Sequence, residues 1–217
     1  MKLKNNNNQK IMKMIKSIIF DLGGVYFTDG TSKAVKKVSK KYHLNSKEVQ
    51  DFFGTKNNIG RLYRQGKLTS KQFWQEFQKQ FKIKVDKDDL IKEWILCYKP
   101  IQGTINLIRE LRNNGLKTYF LSDNVKERSS VLEKKYNYMQ DFSSGIFSHK
   151  VGATKMDGNK IFMLALEKSG NRPNEVIFID DKEAYVKTAK KLGMHAIHFN
   201  SAKQLEREIK KLIKQFK

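Results

Sequence analysis

The chain has a single cysteine, Cys97, among its 217 residues. One cysteine excludes an intrachain disulfide, and with it the small secreted scaffolds that depend on such bonds. No apolar run approaches the roughly 20 residues that cross a bilayer. The segment from Met1 to Lys16 also lacks the unbroken apolar stretch of a signal peptide, because Lys13 and Lys16 interrupt it. A reducing, cytoplasmic setting without membrane contact is the expectation. Histidine is scarce, with four residues and no metal-ligand spacing. His195 and His198 stand three apart on a predicted strand, so they face opposite sides of it.

Arginine is scarce as well. Only seven of the 44 basic residues are arginine, leaving 37 lysines and a net charge of +22. Two sources fit this excess: codon usage in an A- and T-rich genome, which also favours the asparagines at Asn5–Asn8, or a surface for polyanions. The lysines are spread along the whole chain and are not grouped with aromatics, which disfavours nucleic-acid binding.

What is present suits one large domain carrying an insert. Residues 1–13 form a polar, low-complexity leader expected to stay disordered. A first strand is predicted from Met14 to Phe20. From Thr31 to Tyr98 the pattern is helical. Val35 and Val38 mark a first helix there. Asn45 or Ser46 is placed to cap a second, and Thr69 or Ser70 a third. The third carries Phe73, Trp74, Phe77 and Phe81 at helical spacing, read as core. Asp86–Asp89 opens a fourth with an acidic first turn, which suits the helix dipole.

After Pro100 strands and helices alternate. Strands are expected at Lys117–Leu121, Val176–Ile179 and His195–Phe199. Helices are expected at Thr104–Asn113, Val125–Tyr136, Asn159–Ser169 and Glu183–Leu192. A last helix runs through Leu205, Ile209, Leu212, Ile213 and Phe216. The fold class is therefore α/β: a Rossmann-like parallel sheet with helices on both faces, built from residues 14–29 and 100–217, with residues 30–99 inserted as an α-helical block. Ligands of such sheets sit beyond the carboxyl ends of the strands. Asp21, Ser122 and the Asp180–Asp181 pair each follow the last apolar residue of a predicted strand, so they converge on one edge. A carboxylate at the open end of a buried strand needs a partner.

These segments resemble the haloacid dehalogenase-like hydrolases, most of whose members are magnesium-dependent phosphatases. Phe20-Asp21-Leu22-Gly23-Gly24-Val25 is similar to the first motif, Phe120-Leu121-Ser122 to the second, and Val151-Gly152-Ala153-Thr154-Lys155 to the third. Phe178-Ile179-Asp180-Asp181 with Ala189–Met194 is similar to the fourth. The likeness covers residues 14–200 and makes the helical block a cap domain. Gly60–Thr69, followed by Phe73-Trp74, looks like the cap of the branch that includes the N-terminal phosphatase domain of soluble epoxide hydrolases.

The resemblance implies a role for each position. Asp21 would be the nucleophile, forming an aspartyl-phosphate. Asp21, the Gly23 carbonyl, Asp180 and Asp181 would hold Mg²⁺. Ser122, Asp123 and Asn124 would line the phosphate site, and Lys155 would neutralise charge there. Arg64 stands where this branch often has Glu, as a contact for an anionic substrate or as a plain solvated surface residue. The substrate would be a small phosphorylated metabolite. Nothing in the sequence fixes the oligomeric state.

The chain also departs from the pattern. Phosphatases of this family usually carry a second Asp two residues after the nucleophile, where this chain has Gly23. The backbone ligand survives, but general acid–base help worth roughly 10²- to 10⁴-fold is lost from this position. Asp29 and His43 are the residues that could replace it. Asp123 stands where Asn is common, Met156 replaces a usual Pro, and Tyr185 a frequent Asn. The missing acid predicts a preference for good leaving groups. It also keeps open a weak or inactive relative that binds phosphometabolites or polyanions. A 2-haloacid dehalogenase is a further alternative, disfavoured by the retained Asp180–Asp181 pair.

Overall fold

A computed structural model describes residues 15–215. The leader at 1–13, Met14 and Phe216 lie outside them. Five strands form one sheet: β1 (Ser17–Phe20), β2 (Lys117–Ser122), β3 (Ser144–Phe147), β4 (Val176–Asp180) and β5 (His195–His198). Their order is β3-β2-β1-β4-β5, and each neighbouring pair is parallel.

The side-chain period of two explains the apolar strands. Ile18 and Phe20 of β1, Phe120 of β2, and Ile177 and Ile179 of β4 pack on one face with Ile105 and Ile108 of α6 (Gln102–Asn113) and Leu205 and Ile209 of α11 (Ala202–Gln215). Ile19, Tyr119, Leu121, Val176 and Phe178 pack on the other face. Their partners there are Ile161, Phe162 and Ala165 of α9 (Lys160–Ser169) and Ala189 of α10 (Glu183–Lys191). Both faces are covered, which is why these strands read as unbroken apolar runs rather than alternating ones.

Between β1 and β2 lie five helices: α1 (Gly30–Lys41), α2 (Ser46–Phe53), α3 (Asn58–Arg64), α4 (Ser70–Phe81) and α5 (Lys87–Leu96). Asn45 caps α2 by accepting from the Lys47 and Glu48 main-chain N–H groups, and Thr69 caps α4 in a reciprocal pair with Gln72. Asp86 caps α5. The aromatic stripe is core, as expected: Phe52, Phe53, Phe73, Trp74, Phe77 and Trp94 are all buried. Tyr63 stacks on Phe73 at 4.2 Å. The block is fastened to the sheet at Gly66, whose φ is +71°. A Cβ there would lie 2.5 Å from the His149 carbonyl oxygen, on α8 (Ser148–Val151).

Three elements go beyond the sequence expectation: β3, α3 and the single turn α8. β3 was not foreseen, because Ser144-Gly145-Ile146-Phe147 offers no apolar run, and Gly145 is small so that the Phe120 ring can cross it. α3 is too short and too polar to show a face of its own. The chain leaves β1 for β2 on one side and later enters β4 on the other. The crevice at that change of direction opens beyond the ends of β1 and β4.

Candidate active site

Asp21 follows β1 directly, and its N–H donates to the Ile179 carbonyl at 2.8 Å. The chain then turns back. The Tyr26 and Phe27 N–H groups donate to the Leu22 carbonyl at 3.0 and 2.8 Å, and Gly24 N–H donates to Phe27 at 2.7 Å. Gly24 has φ +91°, and a Cβ there would lie 2.5 Å from the Asp181 carboxylate. Only glycine meets both demands. Gly23 differs: a Cβ there would meet only Tyr98, at 3.9 Å.

Asp180 ends β4, and Asp181 follows it. Lys155 lies between the two strand ends. Its Nζ is 3.0 Å from Asp21 Oδ1 and 2.5 Å from Asp180 Oδ2. Its main-chain N–H donates to Asp123 Oδ1 at 3.0 Å. The loop carrying Lys155 is braced by Asp157, whose Oδ2 accepts from the Thr154 N–H at 2.7 Å and from Gln65 of the helical block at 2.6 Å. On the far side, Lys182 donates its N–H to Asp180 at 2.8 Å and its Nζ to Asp181 at 2.7 Å.

The electrostatics are crowded. Burial lifts the Asp21 carboxyl to about 7; Lys155 opposes this shift, and Asp180 and Asp181 add to it. Burial likewise lifts Asp123 to about 6 and raises Asp180, again against Lys155. Burial alone would lower the Lys155 amine, but Asp180, Asp21 and Asp123 outweigh it and hold the amine above its usual value. Asp21, Asp180 and Asp181 can each offer an oxygen within 4.8 Å of the others. Such a cluster of carboxylate oxygens, under-neutralised by protein cations, fits a hard divalent ion.

A cavity of about 360 Å³ opens over this edge, between the strand ends and the helical block. Asp21, Gly23, Asp123, Lys155, Asp181 and Arg64 all line it. Ser122 and Asn124 do not. Ser122 is buried at the end of β2. Asn124 Oδ1 accepts from Arg128 Nε at 2.6 Å and from the Val125 N–H at 2.9 Å, so this side chain holds its own loop. Asp123 faces the cavity, but its carboxylate is occupied by the Lys155 main chain. Asp29 is on the wall, where it caps α1; His43 is not. Arg64 is only 7% exposed, so it is not a solvated surface residue.

Sequence reasoning missed Arg128, Tyr98 and Lys182, which also line the cavity. Arg128, on α7 (Lys126–Tyr136), lies over the Tyr98 and Trp94 rings at 4.8 and 5.0 Å. The scarcity of arginine was the available signal, since a guanidinium is rare in so lysine-rich a chain.

Fold and site together define an α/β protein with a lysine-bridged carboxylate cluster, suited to a divalent cation, at the switch point of its sheet. The chain belongs to the haloacid dehalogenase-like hydrolase family, whose profile matches residues 15–193. The bifunctional epoxide hydrolase 2 of Sus scrofa is 24% identical over 217 residues, covering 91% of this chain and 39% of its own length. This agrees with the branch to which Gly60–Thr69 pointed. The chain spans between about a fifth and two fifths of the length of the curated relatives it matches. A family enzyme from Bacteroides thetaiotaomicron, solved with magnesium and inorganic phosphate, is 22% identical with a TM-score of 0.70, covering 86% of this chain and 95% of that one. A family hydrolase from Porphyromonas gingivalis is 21% identical with a TM-score of 0.74, covering 92% and 98%. Among the described residues, no helix is long and apolar enough to cross a membrane.

Proposed function

We propose that the protein is a Mg²⁺-dependent phosphatase of small phosphorylated metabolites, working through an aspartyl-phosphate on Asp21 and favouring good leaving groups. The observation that carries this reading is Lys155, held between Asp21 and Asp180 at the floor of a cavity large enough for a metabolite. A carboxylate nucleophile needs its charge offset as a phosphoryl dianion approaches, and Lys155 is already in place to do so. Asp21, Asp180, Asp181 and the Gly23 carbonyl would hold the ion. When bound, it would neutralise charge developing on the phosphoryl oxygens.

Asp21 Oδ attacks phosphorus as the bond to the leaving oxygen breaks; water then hydrolyses the aspartyl-phosphate, freeing Asp21 and inorganic phosphate, and the leaving oxygen takes its proton from solvent. Gly23 supplies no proton to that oxygen, so esters of acidic alcohols react best. Asp123 positions Lys155 through its main-chain hydrogen bond. Residues 30–99 act as a cap that covers the cavity and shields the bound substrate from bulk solvent. Arg64 faces substrate from this cap. Ser122 and Asn124 support the phosphate site from behind its wall. A reducing, cytoplasmic setting accompanies this reading, given the lone Cys97. Dehalogenation would leave the Asp181 side of the cluster without a task.

The test is release of phosphate from a panel of alkyl, aryl, acyl and sugar phosphates, with and without Mg²⁺. Turnover that needs the ion and vanishes in Asp21→Asn supports the reading. Turnover retained in Asp21→Asn removes the nucleophile assignment. No turnover by the wild type on any compound favours the second reading, a phosphometabolite binder, for which the extra carboxylate of Asp123 beside Lys155 is the motivating observation.

A further inference from the structure

Two guanidinium groups share the cavity wall, and they are satisfied very differently. Arg128 donates to Asn124 Oδ1 at 2.6 Å, to the Asp123 carbonyl at 2.8 Å, to Thr31 at 3.5 Å and to the Tyr98 hydroxyl. It also lies over two aromatic rings. Its donors are committed to the fold. Arg64 makes one hydrogen bond, from Nη1 to the Gly60 carbonyl at 3.2 Å. Among the described residues it forms no ion pair, although it is only 7% exposed and borders the cavity. A guanidinium carries five N–H donors, and on Arg64 one of them has a hydrogen-bond partner among the described residues.

A buried cation without a counter-ion is costly. Burial first, and then Arg128 as a second positive charge, weaken the hold of Arg64 on its proton, and the Asp123 carboxylate opposes them without a hydrogen bond to it. The fold bears this cost at the end of α3, on the cavity wall. The phosphoryl side already has its own cation in Lys155. A second cation on the wall, without an ion pair of its own among the described residues, is complementary to a second negative group.

We infer that the substrate carries a second oxyanion, a carboxylate or a further phosphate, which Arg64 receives while the phosphoryl group meets Asp21. The inference rests on the phosphatase reading and narrows it to phosphomonoesters that carry a second anionic group. The fork of N–H groups suits the paired oxygens of either anion.

The experiment compares phenyl phosphate with meta- and para-carboxyphenyl phosphate and with phenylene bisphosphate, in wild type and in Arg64→Gln and Arg64→Lys. The carboxylate and bisphosphate arms separate the two kinds of anion. The expected wild-type preference in kcat/KM for at least one probe with a second anionic group over phenyl phosphate is about 10- to 100-fold. In Arg64→Gln that ratio collapses towards one, and in Arg64→Lys part of it remains. The same ratios are measured as binding affinities in the Asp21→Asn background by calorimetry. No turnover by the wild type, with an intact, Arg64-dependent binding preference in the Asp21→Asn background, counts against the phosphatase reading alone. No binding preference, or one that persists in Arg64→Gln, overturns the inference. So does an equal fall for phenyl phosphate, which would assign Arg64 to the transferred group. A fall in Tm of Arg64→Gln with its preference intact assigns Arg64 to the fold and also overturns the inference.

Discussion

At the amino-terminal edge of the sheet, Glu175 is met by Arg172 at 2.8 Å and Lys16 at 2.9 Å, and its carboxyl falls to about 2. Ahead of β3, Asp141 is paired with Arg109 at 2.8 Å. At the carboxyl edge of the same strands, Asp21 rises to about 7 and Asp123 to about 6. There, Asp21 and Asp180 share the buried amine of Lys155, Asp181 meets the more exposed amine of Lys182, and Asp123 accepts the Lys155 main-chain N–H. One edge pairs its carboxylates locally, and the other buries them close together. Burial is the largest cause of the rise at the carboxyl edge, and the mutual repulsion of the carboxylates adds to it at Asp21. Carboxylates gathered against their own repulsion mark the edge built to receive charge from outside the chain.

The largest effect that would break this comparison is on turnover. Asp21→Asn is expected to lower kcat by at least about 10³-fold. Its Tm should not fall, because one of the crowded carboxylates has been removed. Phosphate release and a thermal melt on the same sample check both. A variant that loses activity and also melts early would mean that Asp21 is structural.

Lys155→Met comes next. It removes the cation that Asp21 and Asp180 share, and leaves their charges buried together. Breaking one side of a buried pair typically costs about 3–5 kcal/mol. Urea unfolding in buffer free of divalent ions should read a loss of that size. Added Mg²⁺ should narrow the gap to wild type. A loss under about 1 kcal/mol would mean that the cluster is protonated or hydrated and is not frustrated at all.

Gly23→Asp tests what the acidic edge lacks. A Cβ at residue 23 meets only Tyr98 at 3.9 Å, so the side chain can enter without displacing backbone. The expected gain in kcat on alkyl phosphates is about 10- to 100-fold, with little gain on aryl phosphates. Equal rates for alkyl and aryl phosphates in the wild type would mean that another group, with Asp29 on the wall as the candidate, already supplies the proton.

The contrast also explains what could be read before the structure. Asp21 and Asp180-Asp181 were legible because each interrupts an apolar run, and such runs are strands when a sheet is covered on both faces. Gly24 was legible as part of a motif, but its reason, the Asp181 carboxylate 2.5 Å from an imagined Cβ, belongs to the tertiary structure. β3 was hidden because an edge strand of Ser, Gly, Ile and Phe has no periodicity to find. Asn124 looked like a phosphate ligand and proved to be the partner of Arg128, since hydrogen-bond direction is not written in sequence. Arg64 was read as a choice between substrate contact and solvent. Only packing against the cavity, with one acceptor in reach, removes the solvated alternative.

The smallest effect lies at the satisfied edge, and its sign is what matters. Glu175 has a folded value near 2 against an ordinary 4.5, set first by the Arg172 side chain and then by the Arg172 N–H and Lys16. Between these values the unfolded chain binds the proton and the folded protein does not, so stability rises with pH. The contribution is complete above pH 4.5 and is lost as pH falls through about 2. The stability gap between wild type and Glu175→Gln should therefore be widest near neutral pH and shrink in acid, and it should be small because its basic partners are exposed and screened. Asp21 should give the opposite slope in buffer free of divalent ions. Its folded value is raised, so the wild type loses stability relative to Asp21→Asn as pH climbs from about 4 to about 7. Paired denaturation curves across this range measure both. If the two gaps change in the same direction with pH, the two edges do not differ in the way their charges are held.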